Sequence, residues 1–287
     1  MTQLLEPFEF AFFRNGLVVA TLAGALCGLI GVYVTLRGMS YIGHGLSHAI
    51  FGGAAASAVI SFNFYIGAGV WGLASALLIG RITRRRLIGA DAAIGVVTTA
   101  SFALGLALLN RFGQARKSVD AALFGSILGV SATDVWVVAG VSVLVAAVVF
   151  LGYRSLLFTT FDPEVANVSG VNTARVDALL MAVLAVSILV TMKVLGVVLI
   201  AATLVIPATV ARMLTNSFSR MLGLSTVIGA LCGFVGMMAS YHLDISSGAA
   251  IVLVGATVFG VVFTLTGPGG RSRAVGLAHA DAPPATA

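Results

Sequence analysis

Apolar residues in this chain fall into nine long runs separated by short polar breaks, at 12–36, 45–62, 65–80, 91–110, 135–153, 177–194, 196–214, 221–241 and 247–266. A helix needs about 20 apolar residues to cross a bilayer core of roughly 30 Å. The pattern therefore predicts an all-α, polytopic integral membrane protein with about nine transmembrane helices. Composition points the same way. Of 287 residues, 59% are hydrophobic and only 9% are charged, against about 25% charged in a soluble domain. The runs at 45–62 and 65–80 are short, which suits tilted helices or helices sunk between neighbours. The stretch 121–130 is apolar but too short to span. It is expected to form a half-membrane or re-entrant helix packed within protein.

These runs make residues 1–266 one membrane domain, with no room for a sizeable soluble one. The tail at 267–287 is rich in Gly, Pro and Ala and is expected to be disordered and cytoplasmic; it carries His279. No GxxxxGK[ST] loop occurs in the chain, so any ATP hydrolysis belongs to a partner. The start of the chain lacks a basic segment before its first run, which reads as a retained helix and not a cleaved signal.

The net charge of +6 is carried mostly by short loops, which is the signature of membrane topology and gives no reason to expect nucleic acid as a partner. With the loop of Arg81, Arg84, Arg85 and Arg86 inside, eleven basic residues are cytoplasmic and five external. This places the N-terminus outside and the C-terminus inside. Cys27 and Cys232 both lie within apolar runs and read as small buried residues. Gly24 and Gly28, and again Gly229 and Gly233, form small-xxx-small pairs that let helices approach closely in lipid.

Among candidate chemical groups, His44 and His48 are the most informative. A spacing of four places both imidazoles on one helix face. Two imidazoles at the start of an apolar run suggest a transition-metal ion in passage, while structural, hydrogen-bonded histidines are the alternative. Two ligands do not complete a site; water, backbone or another helix must add the rest.

A second motif is Asp162-Pro163-Glu164-Val165-Ala166-Asn167-Val168-Ser169-Gly170. Asp162 suits an N-cap, Pro163 the first helical position, Glu164 the positive end of the helix dipole and Gly170 its close. The motif is either a docking element for a partner or a plain connector between spans. Pro207, inside the seventh run, is expected to kink its helix, with Thr203 and Thr209 re-satisfying freed backbone groups. Asp91 reads as an N-cap. Asp244 and His242 follow the eighth run on the outer face, where they attract cations or simply solvate a loop. Asp177 and Lys193 bracket the sixth run as end markers. No carboxylate falls in the middle of a span, so the relay of a proton-coupled carrier is missing.

In these residues the chain resembles the permease subunits of bacterial ABC importers for zinc, manganese or iron, the ABC-3 metal permease family. The resemblance runs from about residue 12 to residue 266. It is carried by Arg37–Ala49, Asp91–Gly95, Asp162–Gly170, Val197–Leu214 and Ser240–Ala250. It implies a multi-pass protein of the bacterial plasma membrane that is not itself an enzyme. It also implies a cytoplasmic ABC ATPase docked on the Asp162–Gly170 coupling helix, an extracytoplasmic metal-binding lipoprotein and a second permease copy in a homodimer. The transported ion, zinc or manganese, is cargo, and no permanently bound cofactor is expected. His48 matches the family's metal-contacting histidine, and His44 stands where the family usually has an acid. Imidazole in place of carboxylate shifts ligand preference from manganese towards zinc. The rival readings are a permease for an iron chelate, haem or cobalamin, which needs a wide pathway without metal ligands, and a stand-alone carrier or membrane enzyme.

Overall fold

The computed structural model describes residues 6–84, 88–112, 123–125 and 130–266. Among them the secondary structure is helical. A 3-10 turn at Glu6–Glu9 leads into α1 (Ala11–Leu36), α2 (Ser40–Val59), α3 (Phe64–Arg84), α4 (Ala90–Phe112) and α5 (Ala132–Leu151). Two short helices follow, α6 (Tyr153–Phe161) and α7 (Pro163–Val168). The chain continues through α8 (Thr173–Leu195), α9 (Ile200–Leu214), α10 (Phe218–Leu243) and α11 (Ser247–Thr266). Each of the nine apolar runs is a helix.

Length and composition alone do not establish the expected count of about nine membrane crossings. Seven of these helices are long and apolar enough to cross; α2 and α9 are outside that set. The 15 residues of α9 extend only about 22 Å at 1.5 Å per residue. α2 carries His44, His48 and several serines, and most of it is buried inside the protein. Polar side chains are tolerated at membrane depth when protein covers them. The half-membrane helix expected at 121–130 falls largely outside the described residues, as does the tail at 267–287.

α1 and α8 form the centre of the bundle. Their apolar windows are 78% and 72% buried, against 22% for α5 and α11. The outer helices turn large apolar side chains outward, with Trp136 78% and Phe150 70% exposed on α5. Outward surfaces of this kind are natural against lipid, which is as apolar as the side chains it meets.

The glycine pairs pack α1 directly against α10. A Cβ at Gly24 would stand 2.1 Å from the Gly229 carbonyl oxygen, and one at Gly28 would stand 2.2 Å from that of Ser225. Gly233 meets the Ala20 carbonyl in the same way, so the two helices run antiparallel. The Ser225 hydroxyl closes the seam by donating to the Gly28 carbonyl at 2.6 Å. The two similar glycine texts are thus the two halves of one interface. Cys27 and Cys232 are buried free thiols.

The break between α8 and α9 is also built on glycine. Gly196 has φ +75° and faces Gly125, itself at φ +79°. The Val198 N–H donates to the Leu123 carbonyl at 3.2 Å. Ser47 on α2 donates to the Val197 carbonyl, and Ser247 on α11 to that of Val194, both at 2.8 Å. The carbonyls exposed by the break are thereby satisfied inside the protein.

Pro207 lies inside α9 without ending it. The Thr203 and Thr209 hydroxyls donate to the Leu199 and Val205 carbonyls. Pro207 frees the carbonyl four residues back, that of Thr203, so these hydroxyls do not serve it as expected. Asp91 sits in the first turn of α4, whose first residue is Ala90, and is therefore not its N-cap.

Candidate metal-translocation site

Local sequence places the histidine pair. α1 ends at Leu36 with Arg37 as its C-cap, Gly38 turns the chain at φ +67°, and α2 starts at Ser40. His44 and His48 are then one turn apart. Their Nε2 atoms are 3.2 Å from each other, with one ring donating its N–H to the bare nitrogen of the other. Two imidazoles bound at about 2.0–2.1 Å to one tetrahedral ion hold their nitrogens about 3.3–3.4 Å apart. The pair is therefore spaced to chelate one small cation once that shared proton leaves.

The rings meet edge to face at 4.5 Å between centroids. His48 packs on Phe102 of α4 at 4.7 Å, and His44 lies 5.7 Å from Tyr41. The His48 Nδ1 is buried without a hydrogen-bond partner among the described residues. Aromatic packing therefore sets the ring's orientation. Ser47, between the two histidines, is fully buried and ties this turn of α2 to Val197. Among the described residues no group of three or more His, Cys, Asp or Glu side chains converges on a metal position. Further ligands must come from outside this set.

The other sequence candidates stand on or at the ends of other helices. Asp162 caps α7 by accepting from the Glu164 and Val165 N–H groups at 3.1 and 2.9 Å, with Pro163 as the first helical residue. At the other end Gly170, at φ +84°, donates to the Asn167 carbonyl, and Val171 donates to that of Ala166. This is a Schellman closure. α7 is thus six residues long and capped at both ends. It presents Val165 and Val168, 50% and 92% exposed, over a buried Ala166.

Asp244 is the C-cap of α10 at φ +51°, a left-handed position that Asp tolerates. It and His242 are exposed. Pro207 is buried within α9.

Two ion pairs went unread in the sequence. At one end of α8, Asp177 Oδ1 accepts from Arg37 Nη1 at 2.8 Å, beside a cavity of about 890 Å³ lined by Arg37, Met39, Thr160, Pro163 and Asp177. At the other end, Lys193 Nζ donates to Asp134 Oδ1 at 2.7 Å. Asp134 also accepts from the Tyr65 hydroxyl and from the Ser131 N–H and hydroxyl. Asp177 and Lys193 thus mark the ends of α8 as expected, and in addition bind it to its neighbours. The Ser131-x-x-Asp134 spacing, a capping-box signature, was the available signal for Asp134.

A bundle of apolar helices packed around two central ones, seven of them long and apolar enough to cross a bilayer, is the architecture of a polytopic membrane protein. The model of the ABC 3 transport family matches residues 9–266, and the chain belongs to that family. It is 39% identical over 266 residues to the manganese import system permease protein ScaB of Streptococcus parasanguinis, covering 92% of this chain and 94% of that one. It is 37% identical over 260 residues to the manganese transport system membrane protein MntC of Halalkalibacterium halodurans, covering 90% and 88%. Among solved structures, PsaBC from Streptococcus pneumoniae in complex with Fab matches with a TM-score of 0.85 and 32% identity over 96% of this chain and 99% of that one.

Proposed function

We propose that this chain is the membrane-spanning permease of an ATP-driven importer of a first-row divalent metal ion, manganese or zinc. Alternating access is driven by an ATPase on a separate chain. The observation that carries the reading is the 3.2 Å separation of the His44 and His48 Nε2 atoms on one turn of α2. The ion binds there as cargo. Two protein ligands hold it loosely enough to leave, since a pathway site must release what it takes. The names of the relatives favour manganese; imidazole at position 44 favours zinc by ligand type.

α7 is the surface on which the ATPase docks. Its support is a short helix fixed at both ends that leaves Val165 and Val168 uncovered. Positive-inside bias puts this face in the cytoplasm of a bacterial plasma membrane, with the N-terminus outside and the C-terminus inside. A metal-binding protein delivers cargo at the opposite face, near His242 and Asp244. A second copy of the chain faces the first across the pathway and supplies the missing ligands.

The test is ATP-dependent uptake into proteoliposomes holding the chain, its ATPase and its binding protein, with Mn²⁺, Zn²⁺ and Fe²⁺ compared. His48→Ala abolishes uptake while assembly with the ATPase persists. His44→Asp alters the preference among ions. Normal uptake by the His48→Ala variant would remove the proposed site.

A further inference from the structure

Arg37 joins three parts of the molecule that are distant in sequence. It is the last residue before the Gly38 turn into α2, seven positions ahead of His44. Its Nη1 donates to Asp177 Oδ1 on α8 at 2.8 Å, and its Nε donates to Thr160 Oγ1 on α6 at 3.2 Å. The roles are compatible, because the Thr160 hydroxyl spends its own proton on the Leu156 carbonyl at 2.6 Å and keeps a lone pair for the guanidinium. Thr160 stands two residues before Asp162, the cap of α7. One side chain, only 11% exposed, therefore bridges the lead-in of the capped α7 helix and the start of the histidine-bearing α2 helix.

The surroundings of this bridge suit movement. The adjoining cavity of about 890 Å³ is bounded by Arg37 and Met39 on one side and by Thr160 and Pro163 on another. The cavity therefore borders both the α1–α2 turn and the α6–α7 unit. Gly38 turns the chain at the same place at φ +67°, and an added Cβ there would meet nothing within 4 Å. Arg presents its donors as a planar fork that fixes direction as well as charge; Lys presents a single mobile point charge.

We propose that Arg37 is the positioning residue that transmits displacement of α7 to the His44–His48 pair. When α7 moves, Thr160 carries the guanidinium with it. The α1–α2 turn follows, and the height and tilt of the first turn of α2 change with it. Asp177 holds the same guanidinium against α8, which serves as the fixed strut. This inference rests on the reading that α7 docks an ATPase and that the histidines carry the metal.

The experiment measures metal ions taken up per ATP hydrolysed in proteoliposomes with the ATPase and binding protein. Wild type is compared with Arg37→Lys, Thr160→Val and Asp177→Asn, and His48→Ala is the control for the site. Arg37→Lys lowers the ratio about tenfold, within the 5–150-fold span of inter-site coupling, while hydrolysis and assembly stay within about twofold. Thr160→Val, which keeps the ion pair, lowers the ratio in the same direction. A ratio unchanged in both variants, with uptake lost in His48→Ala, overturns the role of Arg37 and leaves the proposed function standing. Absence of uptake in wild type overturns the proposed function and this inference together. Parallel loss of hydrolysis, assembly and uptake in Arg37→Lys and Thr160→Val assigns the bridge to folding alone and overturns the inference.

Discussion

Lys193 Nζ stands 2.7 Å from Asp134 Oδ1, pinning the end of α8 to the start of α5 at the opposite end of the bundle from Arg37 and Asp177. The ammonium also lies 5.0 Å from the Tyr65 ring centroid and 5.7 Å from that of Phe64. One central helix is thus fixed by an ion pair at each end, with α2 packed between them.

Removing one partner of the Asp134–Lys193 pair leaves a carboxylate that is 5% exposed without its cation. Lys193→Ala is expected to destabilise the protein by about 1–3 kcal/mol, less than a fully buried pair because the lysine itself is partly exposed. The double change Asp134→Leu with Lys193→Met removes the uncompensated charge but leaves the Tyr65 hydroxyl and the Ser131 N–H without their acceptor, so it restores only part of the loss. Thermal unfolding of the detergent-solubilised protein measures both.

The α1–α10 seam admits no side chain at Gly24. Gly24→Ala drives a Cβ to 2.1 Å from the Gly229 carbonyl oxygen, and the overpacking costs about 1–3 kcal/mol or more. Gly95→Ala on α4, where a Cβ meets nothing within 4 Å, is tolerated. The midpoint of thermal aggregation followed by size-exclusion chromatography separates the two.

Asp162→Ala removes the acceptor for two α7 N–H groups. The local cost is about 1 kcal/mol. The bundle's melting temperature is expected to hold while co-purification with the ATPase falls. An equal loss of melting temperature would assign the cap to the bundle and not to docking.

Gly196→Ala places a Cβ 2.5 Å from the Gly125 nitrogen at a φ of +75°. With ψ at 153° this is an extended, positive-φ conformation essentially restricted to glycine, and strain of about 1–3 kcal/mol adds to the clash. The expected outcome is loss of the α8–α9 break, read as faster hydrogen exchange at Val198 and reduced expression of folded protein.

Much of this architecture was legible locally. The apolar runs correspond to the helices, with ends within a few residues, because a 20-residue apolar segment has few alternatives in lipid. The caps of α7 were readable from Asp162, Pro163 and Gly170, since N-cap and left-handed preferences operate over three or four residues. The histidine pair followed from a spacing of four. Other features misled local reading. Asp91 looked like a cap but sits inside its helix, and the hydroxyls of Thr203 and Thr209 turn to carbonyls other than the one Pro207 frees. Asp134 passed unnoticed because its significance depends on Lys193 and Tyr65, which lie 59 and 69 residues away.

By itself the sequence determined an all-helical membrane protein, the approximate ends of its helices and the candidate residues of its pathway. These follow from periodicity, capping and hydropathy, which act within a turn or two of the chain. Only the tertiary structure decided that Gly24 meets Gly229 and that Ser47 holds the break after α8. It likewise decided that Arg37 grips Thr160 and Asp177 across 123 and 140 residues. Such pairings are set by which helix faces pack together in the bilayer, a competition among many similar small-residue surfaces that no local pattern resolves.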